Sequence, residues 1–374
     1  MSRSPWRSRS SGQGLVTQAP RVPVRRPPSR VYHLSGSSVK GGKGSGGSCP
    51  HRGELHTHVK AAVLYRPGRP LRLERRPRPR PRGEEVLVRV LGCGVCHSDV
   101  SLADGRFEAR LPLVLGHEVA GHTDGLGNVL VYASWGCGAC RFCQQGEEQL
   151  CPEAQQAGWT CDGGYAEWVR VPSPRYLVPL GDLDPVHAAP LADAGLTPYR
   201  AVRRALPWLR EGATALVVGA GGLGQFAVQY VRLLSPAQVV AVERDRRKFP
   251  WVLDLGAQAV LHPREKVPPV RVVFDFVGSS ATLRLALEAV EPGGLVVQVG
   301  AGGGRVPFGF DLVPAEVHLT NSVWGSLQEL REVVALARSG RLRWHVEAVS
   351  LDQVNEALER VRRGRVLGRL VLTP

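Results

Sequence analysis

The feature that most constrains this chain is a group of four cysteines in the pattern Cys-x2-Cys-x2-Cys-x7-Cys. They are Cys137, Cys140, Cys143 and Cys151, in a stretch that also contains several glycines. Thiolates spaced by two residues on a tight loop can converge on one tetrahedral Zn²⁺, and four of them fill its coordination sphere. A closed site of this kind stabilises structure and leaves no position free for catalysis. The pattern therefore predicts a structural zinc site, against the alternatives of two disulfides or four unrelated buried thiols.

Length and composition indicate a globular protein of two domains. The chain has 374 residues, of which 43% are apolar, and this is enough for two separate cores. No apolar run reaches the ~18 residues of a transmembrane helix, so no membrane association is expected. The eight cysteines are interpreted as metal ligands and a few further thiols without a role. This pattern predicts a reducing compartment, the cytoplasm. Scarce Asn and Met are compatible with a thermophile's protein, or with a GC-rich genome alone.

The net charge of +15 is concentrated at the start of the chain. Residues 1–58 hold ten Lys and Arg and one acidic residue, so they contribute +9 and the rest of the chain only +6. The remainder is mildly basic, and we expect no nucleic-acid partner. Residues 1–58 are rich in Ser, Gly, Pro and Arg without apolar periodicity, which predicts a disordered tail. A GUG codon at Val59 would make that residue the true start, and N-terminal sequencing of the native protein tests this hypothesis.

The rest of the sequence divides into two patterns. From Val59 it is strand-rich, with short apolar or alternating runs at 85–91 and 167–171. Near Thr214 the pattern changes to strands that alternate with helix-like segments, which is typical of a parallel, doubly wound sheet. We expect the following bounds: a catalytic domain at 59–196 and 341–374, and a nucleotide-binding domain at 197–340.

A glycine-rich fingerprint lies between a predicted strand and a predicted helix. It reads Gly219-Ala-Gly221-Gly222-Leu223-Gly224. In such a turn the first glycine permits the tight bend, the second lets the backbone approach a pyrophosphate, and the last allows close packing of helix on strand. The anion then lies at the helix N-terminus. The pattern predicts a dinucleotide site, against the alternative of a glycine-rich turn without a ligand.

An acidic residue follows the fingerprint at the end of the next predicted strand. Glu243 is placed to accept hydrogen bonds from the ribose hydroxyls, and its charge would repel a 2′-phosphate. This favours NAD over NADP. Arg244, Arg246 and Arg247 follow directly and could instead serve a phosphate.

Three further motifs are scattered along the chain. They are Cys93-Gly-Val-Cys96-His97-Ser98-Asp99, then Gly116-His117-Glu118, and downstream Pro190-Leu-Ala-Asp193-Ala-Gly-Leu-Thr197-Pro-Tyr199. Taken alone, the first could be a redox pair and the second a packed histidine. Together with the cysteine group and the fingerprint, residues 59–374 resemble the zinc-dependent medium-chain alcohol dehydrogenases. The resemblance implies an α/β protein, with a GroES-like β-rich catalytic domain and a doubly wound Rossmann domain.

The resemblance implies a catalytic zinc bound by Cys96, His117 and Asp193. Many family members have Cys at the third position, whereas a subgroup of secondary-alcohol dehydrogenases has Asp in the same context. Asp is a normal Zn²⁺ ligand, so the exchange preserves the site. Cys93 more simply packs beside Cys96.

The family's motifs also imply roles for neighbouring residues. Asp99 resembles the carboxylate that orients the histidine ligand, and Glu118 the acidic neighbour that approaches the metal during ligand exchange. Ser98 resembles the start of the proton path, which ends in several relatives at a histidine where this chain has Ser101. The resemblance further implies that Thr197 contacts the nicotinamide ring. His97 and Arg369 match positions that bind the pyrophosphate.

The function implied is the oxidation of secondary alcohols to ketones with hydride transfer to NAD, and the reverse. The implied cofactors are two Zn²⁺ per chain and NAD, and the implied assembly is a homodimer or homotetramer. Trp135, Trp159 and Trp324 either line the substrate pocket or pack in the core. The alternatives are a polyol, threonine or aldehyde-adduct dehydrogenase, a zinc-ribbon nucleic-acid binder, and an inactive relative.

The chain departs from the family in two short stretches. Nineteen residues separate His117 from Cys137, about ten fewer than expected, and 260–272 is too short for the usual helix. Both look like trimmed loops, as in thermostable proteins. The first could disturb the strand between the two metal sites, and with it the activity.

Overall fold

The structure, a computed structural model, describes residues 57–374. The predicted tail, residues 1–58, lies outside this part of the chain except for its last two residues. Among the described residues, no helix combines the length and apolarity needed to cross a membrane.

Strands dominate the first part of the described chain, as predicted. The strands are β1 (His58–Leu64), β2 (Arg72–Pro77), β3 (Val86–Gly94), β4 (Leu113–Val114), β5 (Glu118–Thr123), β6 (Gly127–Val131), β7 (Ser134–Trp135), β8 (Gln155–Gln156), β9 (Trp168–Val171), β10 (Leu177–Pro179), β11 (Thr214–Val218), β12 (Gln238–Val242), β13 (Ala259–Leu261), β14 (Val270–Asp275), β15 (Val290–Gln298), β16 (His318–Asn321), β17 (Val346–Ser350) and β18 (Arg369–Thr373).

Helices are short before the nucleotide-binding region and longer within it. They are α1 (His97–Ala103), α2 (Arg141–Gln144), α3 (Pro185–Ala188), α4 (Leu196–Ala205), α5 (Gly224–Leu234), α6 (Phe249–Asp254), α7 (Ser280–Ala289), α8 (Leu327–Arg338) and α9 (Val354–Arg362).

The β-rich part is built on a seven-stranded sheet. Its strand order is β10-β6-β5-β3-β18-β17, with β9 also paired to β3. Strand β18 comes from the far C-terminus and pairs antiparallel with β3, so the chain returns to the first sheet at its end. This return places Arg369, the first residue of β18, beside the loops that follow β3. Buried Val, Leu and Ala side chains fill the faces of this sheet.

The second part is an open, six-stranded parallel sheet. Its order is β13-β12-β11-β14-β15-β16, and every neighbouring pair is parallel. The chain enters at the central strand β11, winds outward to β13, and then restarts at β14 on the other side. Ligands bind at such a switch point, in the crevice beyond the carboxyl ends of the strands. The predicted doubly wound sheet is confirmed, whereas the domain bounds 59–196, 341–374 and 197–340 stay a prediction.

Both trimmed stretches are accommodated without loss of a strand. β5 and β6 form a tight hairpin with continuous pairing from Ala120↔Leu130 to Thr123↔Gly127. The strand pairing is therefore intact in this chain, and the predicted effect of the trim on activity stays a prediction. Between β13 and β14, eight described residues cross the sheet without a helix. Pro263, Pro268 and Pro269 disfavour one there.

Candidate active site

The four cysteines of the first motif converge on one point of a short loop. Their sulfur atoms all lie within 4.8 Å of one another, and all four thiols are unpaired. The Cys140 and Cys143 sulfurs are 3.6 Å apart, and the backbone amide of Cys140 donates to the Cys137 sulfur at 3.4 Å. Hydrogen bonds from the amides of Ala139 and Cys140 lower the pKa of Cys137 to about 7. No disulfide joins these residues in the structure, and the donor set fits a tetrahedral zinc ion.

The scattered motifs also meet, in a buried cluster far from the first in sequence. Donor atoms of Cys96, His117, Glu118 and Asp193 lie within 4.8 Å of one another. The Asp193 Oδ2 atom is 3.4 Å from the Cys96 sulfur and 3.4 Å from His117 Nε2. Cys96 precedes α1, His117 precedes β5, and Asp193 lies in the turn before α4. The fold therefore brings together the three ligands that the resemblance implied.

The electrostatics of this cluster favour a cation. Burial alone would lower the pKa of His117, but the negative charge of Asp99 and the hydrogen bond that the imidazole donates to Asp193 raise it well above its usual 6.5. Burial would raise the pKa of Asp193, yet His117 and Arg369 hold it well below its usual range. One thiolate, one imidazole and one carboxylate match the preferences of Zn²⁺. The residues present thus fit a zinc ion.

Asp99 lies directly behind the histidine. Its Oδ1 atom is 3.2 Å from His117 Nδ1, on the ring side opposite Asp193, and its Oδ2 atom accepts from the Cys96 amide at 2.8 Å. The Tyr165 hydroxyl also donates to Oδ2 at 2.8 Å. Both Asp99 and Tyr165 are fully buried. Asp99 therefore lies against the imidazole, and its role in orienting the ring stays a prediction, while Tyr165 holds Asp99 by its hydrogen bond.

Sequence reasoning missed Tyr165. No motif surrounds it, and 66 positions separate it from Asp99. A signal exists only in the structure, where the aromatic ring also lies against Gly116, whose φ is +95°.

Glu118 and Arg369 form a buried ion pair at the edge of the cluster. Arg369 Nε donates to Glu118 Oε2 at 2.9 Å, and its Nη2 atom contacts Glu118 Oε1 and lies 3.5 Å from Asp193 Oδ2. Burial raises the pKa of Glu118 to about 7 despite the positive charge of Arg369. The same guanidinium approaches Gly222, where an added Cβ would lie 2.5 Å from Nη1. Arg369 therefore links the metal cluster to the glycine-rich turn, next to the predicted pyrophosphate position.

The glycine-rich turn has the geometry that the fingerprint predicts. Gly219 has a φ of +85°, which a side chain would strain. A Cβ at Gly224 would meet the Gly219 carbonyl oxygen at 2.1 Å, whereas one at Gly221 would meet nothing within 4 Å. The space beside Gly221 is thus open to a ligand, whereas the space beside Gly224 is filled by the backbone of the turn itself. Leu223 stands at the N-cap of α5.

His97 lies at the start of α1, facing positive charge. Partial desolvation and the charges of Arg369 and Arg106 lower its pKa. Its role toward a pyrophosphate remains a prediction. Ser98, the next residue, places its hydroxyl oxygen 3.4 Å from the Cys96 sulfur.

Thr197 lies on the first turn of α4. Its hydroxyl donates to Asp193 Oδ1 at 2.6 Å. The contact fixes the second oxygen of the predicted metal ligand, a function that the sequence did not indicate. The predicted contact of Thr197 with a nicotinamide ring stays a prediction.

Glu243 lies at the carboxyl end of β12, as predicted. It is buried, and its Oε1 atom accepts from the Asp245 amide at 3.0 Å. Arg247 is held by Asp245, at 2.9 and 2.8 Å, and Arg246 lies 3.7 Å from Glu265. Arg244 is exposed and approaches Gly364. Two of the three arginines thus have carboxylate neighbours of their own.

The three tryptophans that were candidates for the substrate pocket lie in different surroundings. The Trp324 ring stands edge-on to His117, with centroids 5.7 Å apart, and its Nε1 atom donates to the Ala192 carbonyl at 3.3 Å. Trp135 is buried and donates to the Tyr132 carbonyl, so it packs in the core. Trp159 stacks on Phe107 at 5.0 Å. Among these three, Trp324 is the ring in contact with the metal cluster.

Comparison with known proteins agrees with this geometry. Residues 82–182 match the alcohol dehydrogenase GroES-like domain, and residues 222–339 match the zinc-binding dehydrogenase family. The chain is 36% identical to a D-arabinose 1-dehydrogenase (NADP(+)) of Saccharolobus solfataricus, covering 84% of this chain and 97% of the relative. It is 33% identical to an NAD-dependent alcohol dehydrogenase of Sulfurisphaera tokodaii, covering 84% and 100%.

A solved structure shares the fold. The alcohol dehydrogenase of the hyperthermophilic archaeon Aeropyrum pernix is similar with a TM-score of 0.80 and 37% identity, covering 84% of this chain and 100% of that one. The chain therefore belongs to the zinc-dependent medium-chain alcohol dehydrogenase family.

Proposed function

We propose that this protein oxidises secondary alcohols to ketones with NAD, and catalyses the reverse reduction. The observation that carries the proposal is the convergence of Cys96, His117 and Asp193 on one buried point, beside a nucleotide turn linked to them by Arg369. Relatives named as alcohol dehydrogenases support it.

The residues around the site have two proposed roles, which are to hold the metal ligands in place and to transfer the alcohol proton. When bound, zinc supplies a Lewis acid for the alcohol oxygen and NAD supplies the hydride acceptor. Asp99 and Thr197 fix the ligands His117 and Asp193 by the contacts described above. We propose that the Ser98 hydroxyl, beside Cys96, takes the alcohol proton and passes it on through the cofactor ribose and water. By the family resemblance, Ser101 stands where this path ends at a histidine in several relatives.

NAD is the proposed cofactor because Glu243 directly follows β12 as a buried carboxylate. Its charge opposes a 2′-phosphate, and Arg246 and Arg247 have acidic neighbours. One relative is named for NADP(+), so exposed Arg244 is the residue that would serve a phosphate if the preference were reversed.

The substrate class follows from Trp324. An indole ring against the predicted ligand His117 gives the site an apolar wall, which favours medium-sized hydrophobic alcohols over ethanol. The relative named as a D-arabinose dehydrogenase supports a polyhydroxylated substrate as the second candidate. A hydrophobic wall discriminates against such a substrate, because its hydroxyls would lose water without new partners.

We also place this protein in the cytoplasm as a homodimer or homotetramer. The seven cysteines among the described residues are all unpaired, which supports a reducing compartment. Apolar side chains are exposed within the edge strand β16 and in the segments before and after it, and we take them to support a partner copy there: Phe308, Phe310, Leu312, Leu319 and Val323.

The test is a panel of alcohols and sugars with NAD and NADP, on protein with measured zinc content. We expect 2-butanol and larger secondary alcohols to be oxidised with NAD, and D-arabinose to be a poorer substrate. Preferential oxidation of D-arabinose with NADP would replace this proposal by the second candidate.

A further inference from the structure

A buried arginine on α4 bonds both to the four-cysteine loop and to the start of α8. Arg200 is 8% exposed and lies one turn after Thr197. Its guanidinium donates to Glu147 Oε1 at 2.7 Å and to Glu329 Oε2 at 3.2 Å. A buried charge is tolerated when it is paired and hydrogen-bonded, and both partners are carboxylates.

The first partner belongs to the four-cysteine loop. Glu147 lies between Cys143 and Cys151 in sequence, and its amide donates to the Phe142 carbonyl at 2.8 Å. It also caps the 3-10 turn Glu148–Leu150, which leads directly into Cys151. Arg200 therefore holds the backbone segment that joins two of the four thiols.

The second partner fixes the segment that carries Trp324. Glu329 and Ser326 form a reciprocal capping box at the start of α8, with hydrogen bonds of 2.7 and 3.1 Å. Gly325, just before it, packs so closely on α4 that a Cβ would lie 2.5 Å from Leu196. Trp324 has a φ of +47°, an uncommon backbone conformation for this residue type that its surroundings must hold.

We infer that Arg200 is a positioning residue that fastens the four-cysteine loop to α4 and α8, and thereby fixes Asp193, Thr197 and Trp324 in the predicted active site. Asp193 and Thr197 precede Arg200 by seven and three positions, joined by the hydrogen bond at 2.6 Å. Trp324 contacts His117 from the other side. Through this buried network of ion pairs, the four-cysteine loop then affects catalysis. The inference rests on the proposed function only where its test measures kcat.

The test compares Arg200→Met with Arg203→Met in the full chain loaded with zinc. Methionine keeps much of the aliphatic stem and removes the guanidinium. Arg203 is the matched control, because it lies on the same helix, pairs with Glu332 of α8, and is 43% exposed. We expect Arg200→Met to lower kcat for 2-butanol on the order of tenfold, since small misplacements of reacting groups cost this much or more. The KM for NAD and the Arg203→Met kinetics should stay near those of the unmodified chain.

Zinc release gives a readout that does not depend on activity. With a chelator in excess, Arg200→Met should release one zinc on the order of tenfold faster, as ligand misplacement weakens metal sites. That accelerated phase must be missing from the double variant Arg200→Met/Asp193→Ala, which assigns it to the second cluster. If the unmodified chain oxidises no alcohol, the proposed function fails, while zinc release still tests the role of Arg200.

Two further variants keep the inference falsifiable if Arg200→Met is unstable. Glu147→Gln keeps an acceptor and removes the charge, so we expect a smaller change in kcat and zinc release in the same direction. Arg200→Lys keeps the charge but cannot span both carboxylates, so we expect partial rescue. A lowered unfolding temperature with kcat and zinc release unchanged in these variants would overturn the inference and leave Arg200 a purely structural residue.

Discussion

At the scale of single residues, the predicted metal ligands are held in place by neighbouring side chains. Asp193 shows this best, because one oxygen faces Cys96 and His117 while the other accepts from Thr197. That Cys96, His117 and Asp193 lie together was predictable, since each stands in a short motif with metal-binding chemistry, and their role as ligands stays a prediction. Tyr165 and the Glu118–Arg369 pair were not predictable as contacts. Their partners are 66 and 251 positions away, and no local spacing encodes such distances.

The first prediction concerns Asp193. Replacing it with alanine removes one ligand of the second cluster and leaves His117 and Cys96 too few to hold zinc firmly. We expect Asp193→Ala to contain about one zinc per chain, held by the cysteine loop, against about two in the unmodified protein. Metal analysis by mass spectrometry measures this.

Two controls accompany the measurement. Asp193→Cys restores the ligand that many family members have, and should keep both zinc ions. Asp182→Ala removes an exposed carboxylate outside the cluster and should change nothing. Two zinc ions in Asp193→Ala would remove Asp193 from the metal site.

At the scale of secondary-structure elements, strand β11 and the glycine-rich turn that follows it position the predicted cofactor site. The order of β11, the turn from Gly219 to Gly224, and α5 was predictable, because the glycine spacing and the apolar run before it encode a strand–turn–helix unit. The missing helix between β13 and β14 was predictable from length alone. The intact β5–β6 hairpin was not, because loop length does not show whether a turn or a strand has been shortened.

The second prediction uses two glycines of this turn. A Cβ at Gly224 would lie 2.1 Å from the Gly219 carbonyl oxygen, while the space at Gly221 is open. We expect Gly224→Ala to lower the free energy of unfolding by about 1–3 kcal/mol, as overpacking does. Gly221→Ala should leave stability nearly unchanged and weaken NADH binding on the order of tenfold, since the methyl group occupies the pyrophosphate position.

Thermal unfolding and NADH fluorescence titration separate these two effects. Equal loss of stability in both variants would contradict the assignment of Gly221 to ligand approach. Unchanged NADH affinity in Gly221→Ala would move the pyrophosphate away from this turn.

At the scale of the whole molecule, the C-terminal strand β18 returns to the first sheet and brings Arg369 to the crevice. The two-part α/β architecture was predictable from the change in periodicity near Thr214. The juxtaposition of the nucleotide turn with the metal cluster followed only from the family resemblance, since periodicity does not show how one sheet is placed against another.

The third prediction concerns assembly. Phe310 is fully exposed in the segment that precedes β16, the strand at one edge of the parallel sheet. We expect Phe310→Asp to reduce the molecular mass in solution to that of a smaller assembly, as measured by light scattering after size-exclusion chromatography. Leu126→Asp, at a residue 44% exposed in the β5–β6 turn, is the control that should keep the mass. An unchanged mass in Phe310→Asp would place the subunit interface elsewhere.

The central claim is that chemistry belongs to the cluster of Cys96, His117 and Asp193 and that the four-cysteine loop has a structural role. The most direct measurement is NADH formation from 2-butanol by the unmodified protein and by Asp193→Ala at equal concentration. We predict turnover by the first and a loss of at least about 100-fold in the second, because the group that polarises the alcohol is gone. Equal turnover by both proteins, or none by a folded protein with two zinc ions, would contradict the account.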